Sequence, residues 1–229
     1  RQTCKGGLAM GKLDSNKKKK RESLLNTAFN MFTTKGVSQT SISEIVEKAG
    51  VAKGTFYLYF KDKYDIKNML IAHKSGQLFK IAIDELKKQP EMNFDDNLIF
   101  IVDNIINQLN TNKSLLTFIS KNLSWGIFKN ALTSSDSDDS VNFKTIYDMM
   151  INDSPKVLKD PEIMLFMIVE LVSSTIYSSI LYSEPVALDV LKPYLYNNIR
   201  QIIKEHETDT DNLSYSSERN CIAVCQKTE

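Results

Sequence analysis

Lys53, Thr55, Tyr57 and Tyr59 place an ammonium group and three hydroxyls within two helical turns, a few residues ahead of Lys63. Phe56 and Phe60 lie four apart, the spacing of one helix face, and are expected to point inward with Val51. The four polar or amphipathic side chains between them then face outward. Exposed tyrosines beside a lysine leave apolar surface in water, which a fold rarely does without a use for it. Their chemistry suits a polyanion. Tyr and Thr hydroxyls donate to phosphate oxygens, a Thr methyl packs on a thymine methyl, and lysine neutralises phosphate. Gly54 carries no side chain, so its backbone can approach a partner closely. The plainer reading of the same residues is a three-helix bundle with a tyrosine-rich surface.

The elements that position them are legible between Thr40 and Lys63, which read TSISEIVEKAGVAKGTFYLYFKDK. Ser41 and Glu44 form a capping box that opens a helix whose inner face is Ile42, Ile45 and Val46. Ala49-Gly50-Val51 is the turn, with Gly50 supplying the left-handed backbone that a sharp reversal needs. A short helix over about Ala52 to Tyr59 follows. Such a helix-turn-helix sets its second helix into the DNA major groove. A helix over about Lys18 to Thr34 precedes it, with Leu24, Leu25, Ala28, Phe29 and Phe32 as its apolar stripe and Gly36 as its stop. A long helix from about Asp62 to Lys88 comes after.

Charge is divided along the chain. The 229 residues sum to +1, but residues 1–88 hold 18 Lys/Arg against 8 Asp/Glu (+10), and residues 89–229 hold 11 against 20 (−9). A basic first third on an acidic body favours a polyanionic partner at one end, although the run Lys17 to Arg21 taken alone also fits a solvated arm. Catalysis finds little support. His73 and His206 are far apart, no Ser or Cys sits in a nucleophile context, and no phosphate loop or metal spacing is present. No cofactor is expected, and the chain reads as a non-enzyme. Cys4, Cys221 and Cys225 form no disulfide framework. The apolar stretch Ile163 to Val172 is interrupted by Glu170 and is short for a bilayer. The expectation is a cytoplasmic protein without a membrane partner.

Apolar residues recur at helical spacing throughout, which makes the fold class all-α. Residues 1–16 are polar and aperiodic and are expected to be disordered or added, with Met10 a candidate natural start. The DNA-binding unit is placed at 17–64, a connecting helix at 65–88, a second domain at 89–207 and a disordered tail at 208–229. Within the second domain, helices are expected at about Phe94–Asn110, Ser114–Leu132, Val141–Asp153, Pro161–Tyr182 and Pro185–His206, with a polar loop at Thr133–Ser140. Pro161 and Pro185 suit first-turn positions. Ile163 to Val172 is apolar on every side, so its helix is expected to be buried all round.

The segment from about Leu24 to Leu70 resembles the N-terminal DNA-binding domain of TetR-type transcriptional regulators. The likeness rests on Phe29, Gly36, the run Thr40 to Ile45, Ala49 to Val51, Gly54 to Tyr57, and Tyr59 to Lys63. The resemblance implies a homodimer that binds a palindromic double-stranded DNA operator, most often as a repressor, until a small-molecule effector binds the C-terminal domain. It puts DNA contacts at Thr40, Ser41, Ser43, Lys53, Gly54, Thr55, Tyr57 and Tyr59, with Lys63 on a phosphate. It likens Lys17–Arg21 to a basic arm, and it makes the helices at 161–182 and 185–206 the dimer interface. An effector pocket would draw on Phe100, Phe118, Asn122, Trp125, Phe128, Tyr147, Met150, Met167, Glu170 and Tyr177. For any one of these, ordinary core packing is the competing assignment. Glu170, if buried, would favour a cation or a partner across the dimer. The alternative function is a helical protein-interaction adaptor or dimerisation module with no small-molecule ligand.

Overall fold

The computed structural model describes residues 7–120 and 157–208, with side chains from residue 15 onward. The fold is all-α. Its helices are α1 (Gly7–Lys35), α2 (Ile42–Ala49), α3 (Lys53–Tyr57), α4 (Lys63–Leu86), α5 (Phe94–Thr111), α6 (Lys113–Ser120), α7 (Pro161–Tyr182) and α8 (Leu188–His206). Among the described residues the one β feature is an isolated antiparallel bridge between Leu158 and Glu207. The expected helix at Val141–Asp153, the loop at Thr133–Ser140 and the cysteines lie outside the described residues.

The chain forms two compact units, Arg1–Lys80 with Gln108–Asn142, and Ile81–Asn107 with Phe143–Glu229. The passage between them falls within α4 and again within α5.

In the first unit Leu24, Leu25, Ala28, Met31 and Phe32 of α1 are buried together with Ile45 and Val46 of α2, Phe56 of α3, Phe60, and Ile66, Leu70 and Ile71 of α4. Leu24, Leu25, Ala28 and Phe32 are the stripe expected from the sequence, whereas Phe29 and Ile42, expected inward, are half-buried and Met31 is buried in addition. α1 is longer than expected, starting at Gly7 and not near Lys18. The segment from Gly7 to Lys20 contains no proline and is rich in Leu, Ala, Met and Lys, all good helix formers. Phe118 of α6 packs on α1, 5.4 Å from the Phe29 ring edge-on and 6.4 Å from Phe32 in a stack.

In the second unit α7 and α8 pack through Met164, Leu165, Ile168, Ile176 and Ile180 on one side and Leu188, Leu195, Ile199 and Ile203 on the other. Pro161 opens α7 as expected. Two expectations are corrected here. Pro185 is not in a first turn, because α8 begins only at Leu188 and the preceding loop is held by Ser179 Oγ donating to the Val186 carbonyl at 2.9 Å. Nor is α7 buried all round: Ile163, Phe166 and Met167 are 53, 39 and 39% exposed, and Glu170 is exposed too. Within the described residues the packing covers only the face that carries Met164, Leu165 and Ile168. By length and mean hydropathy (1.8) α7 is apolar enough to cross a membrane, although it is also the helix that builds this unit's core.

A polar ladder fastens α5 to α8. Arg200 pairs with Asp96 at 2.6 Å. Lys192 Nζ donates to Asp103 at 2.7 Å and to Asn107 at 2.6 Å, and the Tyr196 hydroxyl donates to Asp103. Burial pushes the Asp103 carboxyl up, but the bonds from Lys192 and Tyr196 outweigh it and hold it below its ordinary value. Burial, then the neighbouring Asp103, pushes the Tyr196 phenol above its ordinary range.

Candidate nucleic-acid interface

The interface is built from the α1–α2 corner outward. Gly36 ends α1 in a left-handed conformation (φ 86°). The loop that follows is tied down by two side chains. Thr40 is 1% exposed and its hydroxyl donates to the Gly36 carbonyl at 2.8 Å. Lys63, on the first turn of α4, donates to the carbonyls of Val37, Ser38 and Thr40 at 3.0, 3.1 and 3.3 Å. All three ammonium protons can be engaged this way. The Thr40 and Lys63 side chains therefore point at the loop in this structure, whereas the family resemblance puts both on DNA.

The loop delivers Ser41 as the N-cap of α2. The Ser41 hydroxyl accepts from the Glu44 amide at 3.2 Å, and Glu44 accepts from the Ser41 amide at 2.8 Å, which completes the capping box. Glu44 also holds Lys35 at 2.5 Å. The bond from Lys35, then those from Ser41, lower its carboxyl from 4.5 to about 2. The start of α2 is thus fixed to the end of α1, leaving Ser41 and Ser43 exposed. Gly50 (φ 67°) closes α2, donating to Glu47 and Val46.

α3 is shorter than expected, five residues, because the chain tightens into a turn at Leu58 and Tyr59. Phe56 and Phe60, 0 and 2% exposed with rings 5.4 Å apart, anchor it as the sequence indicates. Around that anchor Lys53 and Gly54 are exposed, Thr55 is half-buried and Tyr57 is 54% exposed. A Cβ at Gly54 would meet nothing within 4 Å, so the protein itself does not demand glycine there. Tyr59 is half-buried, and its hydroxyl donates to the Lys17 carbonyl at 3.2 Å. Asp62 caps α4 through the amides of Tyr64 and Asp65, and Asp65 reaches back to the Lys61 amide at 2.8 Å.

Two exposed residues here were not singled out from sequence. Leu58 is 79% exposed, and Tyr64 is 55% exposed with Lys63 and Lys67 at 5.6 and 5.9 Å from its ring centroid. The signal for Leu58 was available: two residues from each phenylalanine anchor, it stands about 200° round the helix from Phe56.

Five of the ten proposed effector residues lie among the described residues. Phe118 belongs to the aromatic cluster with Phe29 and Phe32 in the first unit. In the second unit Phe100 is half-buried on α5, Met167 and Glu170 are exposed on α7, and Tyr177 is half-buried, edge-on to Tyr182 at 6.4 Å. An exposed Glu170 removes the argument for a buried carboxylate that selects a cation. Asn122, Trp125, Phe128, Tyr147 and Met150 lie outside the described residues.

Residues 24–68 match the family model described as bacterial regulatory proteins, tetR family. The chain is 36% identical over 89 residues to the uncharacterised HTH-type transcriptional regulator YvdT of Bacillus subtilis, spanning 39% of this chain and 43% of that protein. It is 36% identical over 73 residues to the fatty acid metabolism regulator protein of Bacillus subtilis, spanning 32% of this chain and 38% of that one. The chain thus aligns with less than half the length of these relatives. Among solved structures, the fatty acid degradation regulator FadR of Bacillus halodurans superposes with a TM-score of 0.57 at 18% identity, covering 78% of this chain and 96% of that one. FadR of Bacillus subtilis, solved with stearoyl-CoA, gives 0.56 at 19% identity, with the same shares covered. At such identities the structures speak for the fold. The anchored helix-turn-helix lies within residues 24–68, the stretch that resembles the tetR family of bacterial regulatory proteins.

Proposed function

We propose that the chain is a ligand-responsive transcriptional regulator, acting as a repressor that binds a palindromic operator as a homodimer and leaves it when a small, largely apolar molecule binds. The observation that carries this reading is the anchored, donor-rich surface of α2 and α3. Ser41, Ser43, Lys53 and Tyr57 are exposed, with Thr55 half-buried among them, over a core fixed by Phe56 and Phe60. Lysine and hydroxyl donors there suit phosphates, and Thr55 and Leu58 suit thymine methyls. Thr40 and Lys63 serve the same surface from behind by fixing the entry to α2.

The dimer reading is supported by apolar side chains left in water on α7 and α8, namely Ile163, Phe166, Met167, Val190 and Tyr194. Two half-sites one duplex turn apart need two recognition helices held at that spacing. For the effector, the relatives point to an acyl chain. One relative is named a regulator of fatty acid metabolism, and one structural neighbour was solved with stearoyl-CoA. We assign a long-chain acyl-CoA as the first effector to test.

The test is selection of bound duplexes from a random pool, followed by release with stearoyl-CoA. An enriched inverted repeat that the acyl-CoA displaces supports the whole reading. An enriched repeat indifferent to acyl-CoA and to other apolar molecules leaves a DNA-binding protein without this sensor. No enrichment refutes the regulator.

A further inference from the structure

Two adjacent residues midway along α4 depart from what helix stability favours. Ser75 is 4% exposed, and its hydroxyl finds no hydrogen-bond partner among the described residues. Other helical hydroxyls of this chain bond back to the carbonyl four residues earlier, as Thr33 does to Phe29 at 2.9 Å and Thr175 to Leu171 at 2.7 Å. Ser75 makes no such bond, and a buried hydroxyl without a partner destabilises a fold. Gly76 follows it. The residue is half-buried, yet a Cβ there would meet nothing within 4 Å. Neither a close neighbour nor a left-handed backbone requires glycine, which inside a helix is less stable than alanine.

On the other side of Ser75 stands Lys74, also half-buried. Its ammonium lies 5.0 Å from the centroid of the Phe29 ring and donates to Gln77 Oε1 at 3.3 Å. No carboxylate pairs with it among the described residues, and burial holds its pKa below the ordinary lysine value. These residues belong to one compact unit. Successive helix positions turn by about 100°, so Ser75 is flanked by a cation on one side and by room on the other. The rest of its own face, Ile71, Leu78 and Ala82, is buried and apolar. A hydroxyl donor and a cation both seek an acceptor oxygen, and the apolar face accepts little else that is polar. Departures from local stability that packing does not explain gather at functional sites.

From this we infer that Ser75 and Gly76 form an effector-binding site, in which the Ser75 hydroxyl donates to the carbonyl oxygen of a fatty acyl group and the acyl chain takes the room beside Gly76. The inference rests on the acyl-effector reading above and adds to it two residues of α4 that are not among the ten effector residues expected from sequence. A thioester and a free fatty acid both present the required oxygen. The Lys74 cation favours the free acid, whose oxygen carries charge.

The experiment titrates the full chain with stearoyl-CoA and with stearate by calorimetry, and melts each variant without ligand. Wild type binds at least one of the two. Ser75→Ala loses roughly two- to tenfold in affinity, the contribution of one hydrogen bond, yet melts no lower than wild type because it removes an unpaired hydroxyl. Ser75→Cys, similar in size but a weak donor, falls between them. Gly76→Ala melts roughly 2–4 °C higher and binds more weakly, because its methyl group occupies the room the chain needs. Stability that holds or rises while affinity falls is a pattern that a purely structural role would not give. Tighter binding of stearate, weakened by Lys74→Gln, identifies the free acid as the ligand; tighter binding of stearoyl-CoA, indifferent to Lys74→Gln, identifies the thioester. If Ser75→Ala and Gly76→Ala bind as wild type does, the site is refuted while the acyl-effector reading stands. A Ser75→Ala variant that melts several degrees lower would give the hydroxyl a partner inside the protein and also refute the site. Failure of wild type to bind either compound refutes the acyl-effector reading and this site with it.

Discussion

In the proposed regulator, Lys63 would serve DNA binding by holding a loop and not by meeting a phosphate. Its ammonium is bonded to three carbonyls of the Val37–Thr40 loop, and that loop fixes Ser41 at the head of α2. A phosphate contact and a positioning role differ in salt dependence. Lys63→Ala should weaken operator binding by about 1–3 kcal/mol while leaving the salt slope unchanged. Lys53→Ala, which removes an exposed cation from the reading surface, should lower the slope by about one per protomer. A fall of that size for Lys63→Ala would return it to the phosphates. Glu44 gives a pH test of the same corner. Its folded carboxyl is held at about 2, below its ordinary 4.5, so its contribution to stability is complete above 4.5 and is lost as pH falls from there towards 2. Wild type should therefore melt above Glu44→Gln at pH 6, and the gap should close by pH 2. A gap constant across that range would mean that the Lys35 and Ser41 contacts contribute nothing through charge.

At the scale of elements, the proposed assembly rests on α7 and α8. Leu195 is 2% exposed and belongs to the packing within a protomer, so a charge there should unfold the domain. Val190 and Tyr194, 51 and 69% exposed, are the better probes. Tyr194→Glu with Val190→Asp should leave helicity intact and produce a monomer in sedimentation at micromolar concentration. A persistent dimer would move the interface elsewhere. The same helices show what was legible in the sequence. Helical periodicity, the Ser41–Glu44 box and Gly50 give α2 and its turn almost to the residue, because capping and left-handed backbone are local physics. Phe56 and Phe60 give the inward face of the reader for the same reason. Direction of side chains across long range was not legible. Thr40 and Lys63 turn to a loop whose carbonyls no spacing rule reveals. Tyr59 turns to a carbonyl 42 residues away. The exposed half of α7 looks like core in sequence because composition alone does not separate a fully buried helix from a half-exposed one.

For the whole molecule, the proposal is a coupling between two ligands. The chain crosses from one compact unit to the other within α4 and within α5, so both units share continuous helices. An effector that favours one disposition of those helices and DNA that favours another must oppose each other reciprocally. Stearoyl-CoA and operator should each weaken the other by the same factor, in the range of ~5–150-fold. Titrations of each in the presence of the other would check it, and a factor of one in both would mean that the two ligands are not coupled. All of this depends on α3 being the reader. The most direct measurement is the affinity of the full chain for its selected inverted repeat against a scrambled duplex at one fixed salt concentration, with Tyr57→Ala alongside. The account predicts that wild type prefers the repeat and that Tyr57→Ala loses about 1–3 kcal/mol on it. Equal affinity for the two duplexes, or a Tyr57→Ala variant that binds the repeat as wild type does, would contradict it.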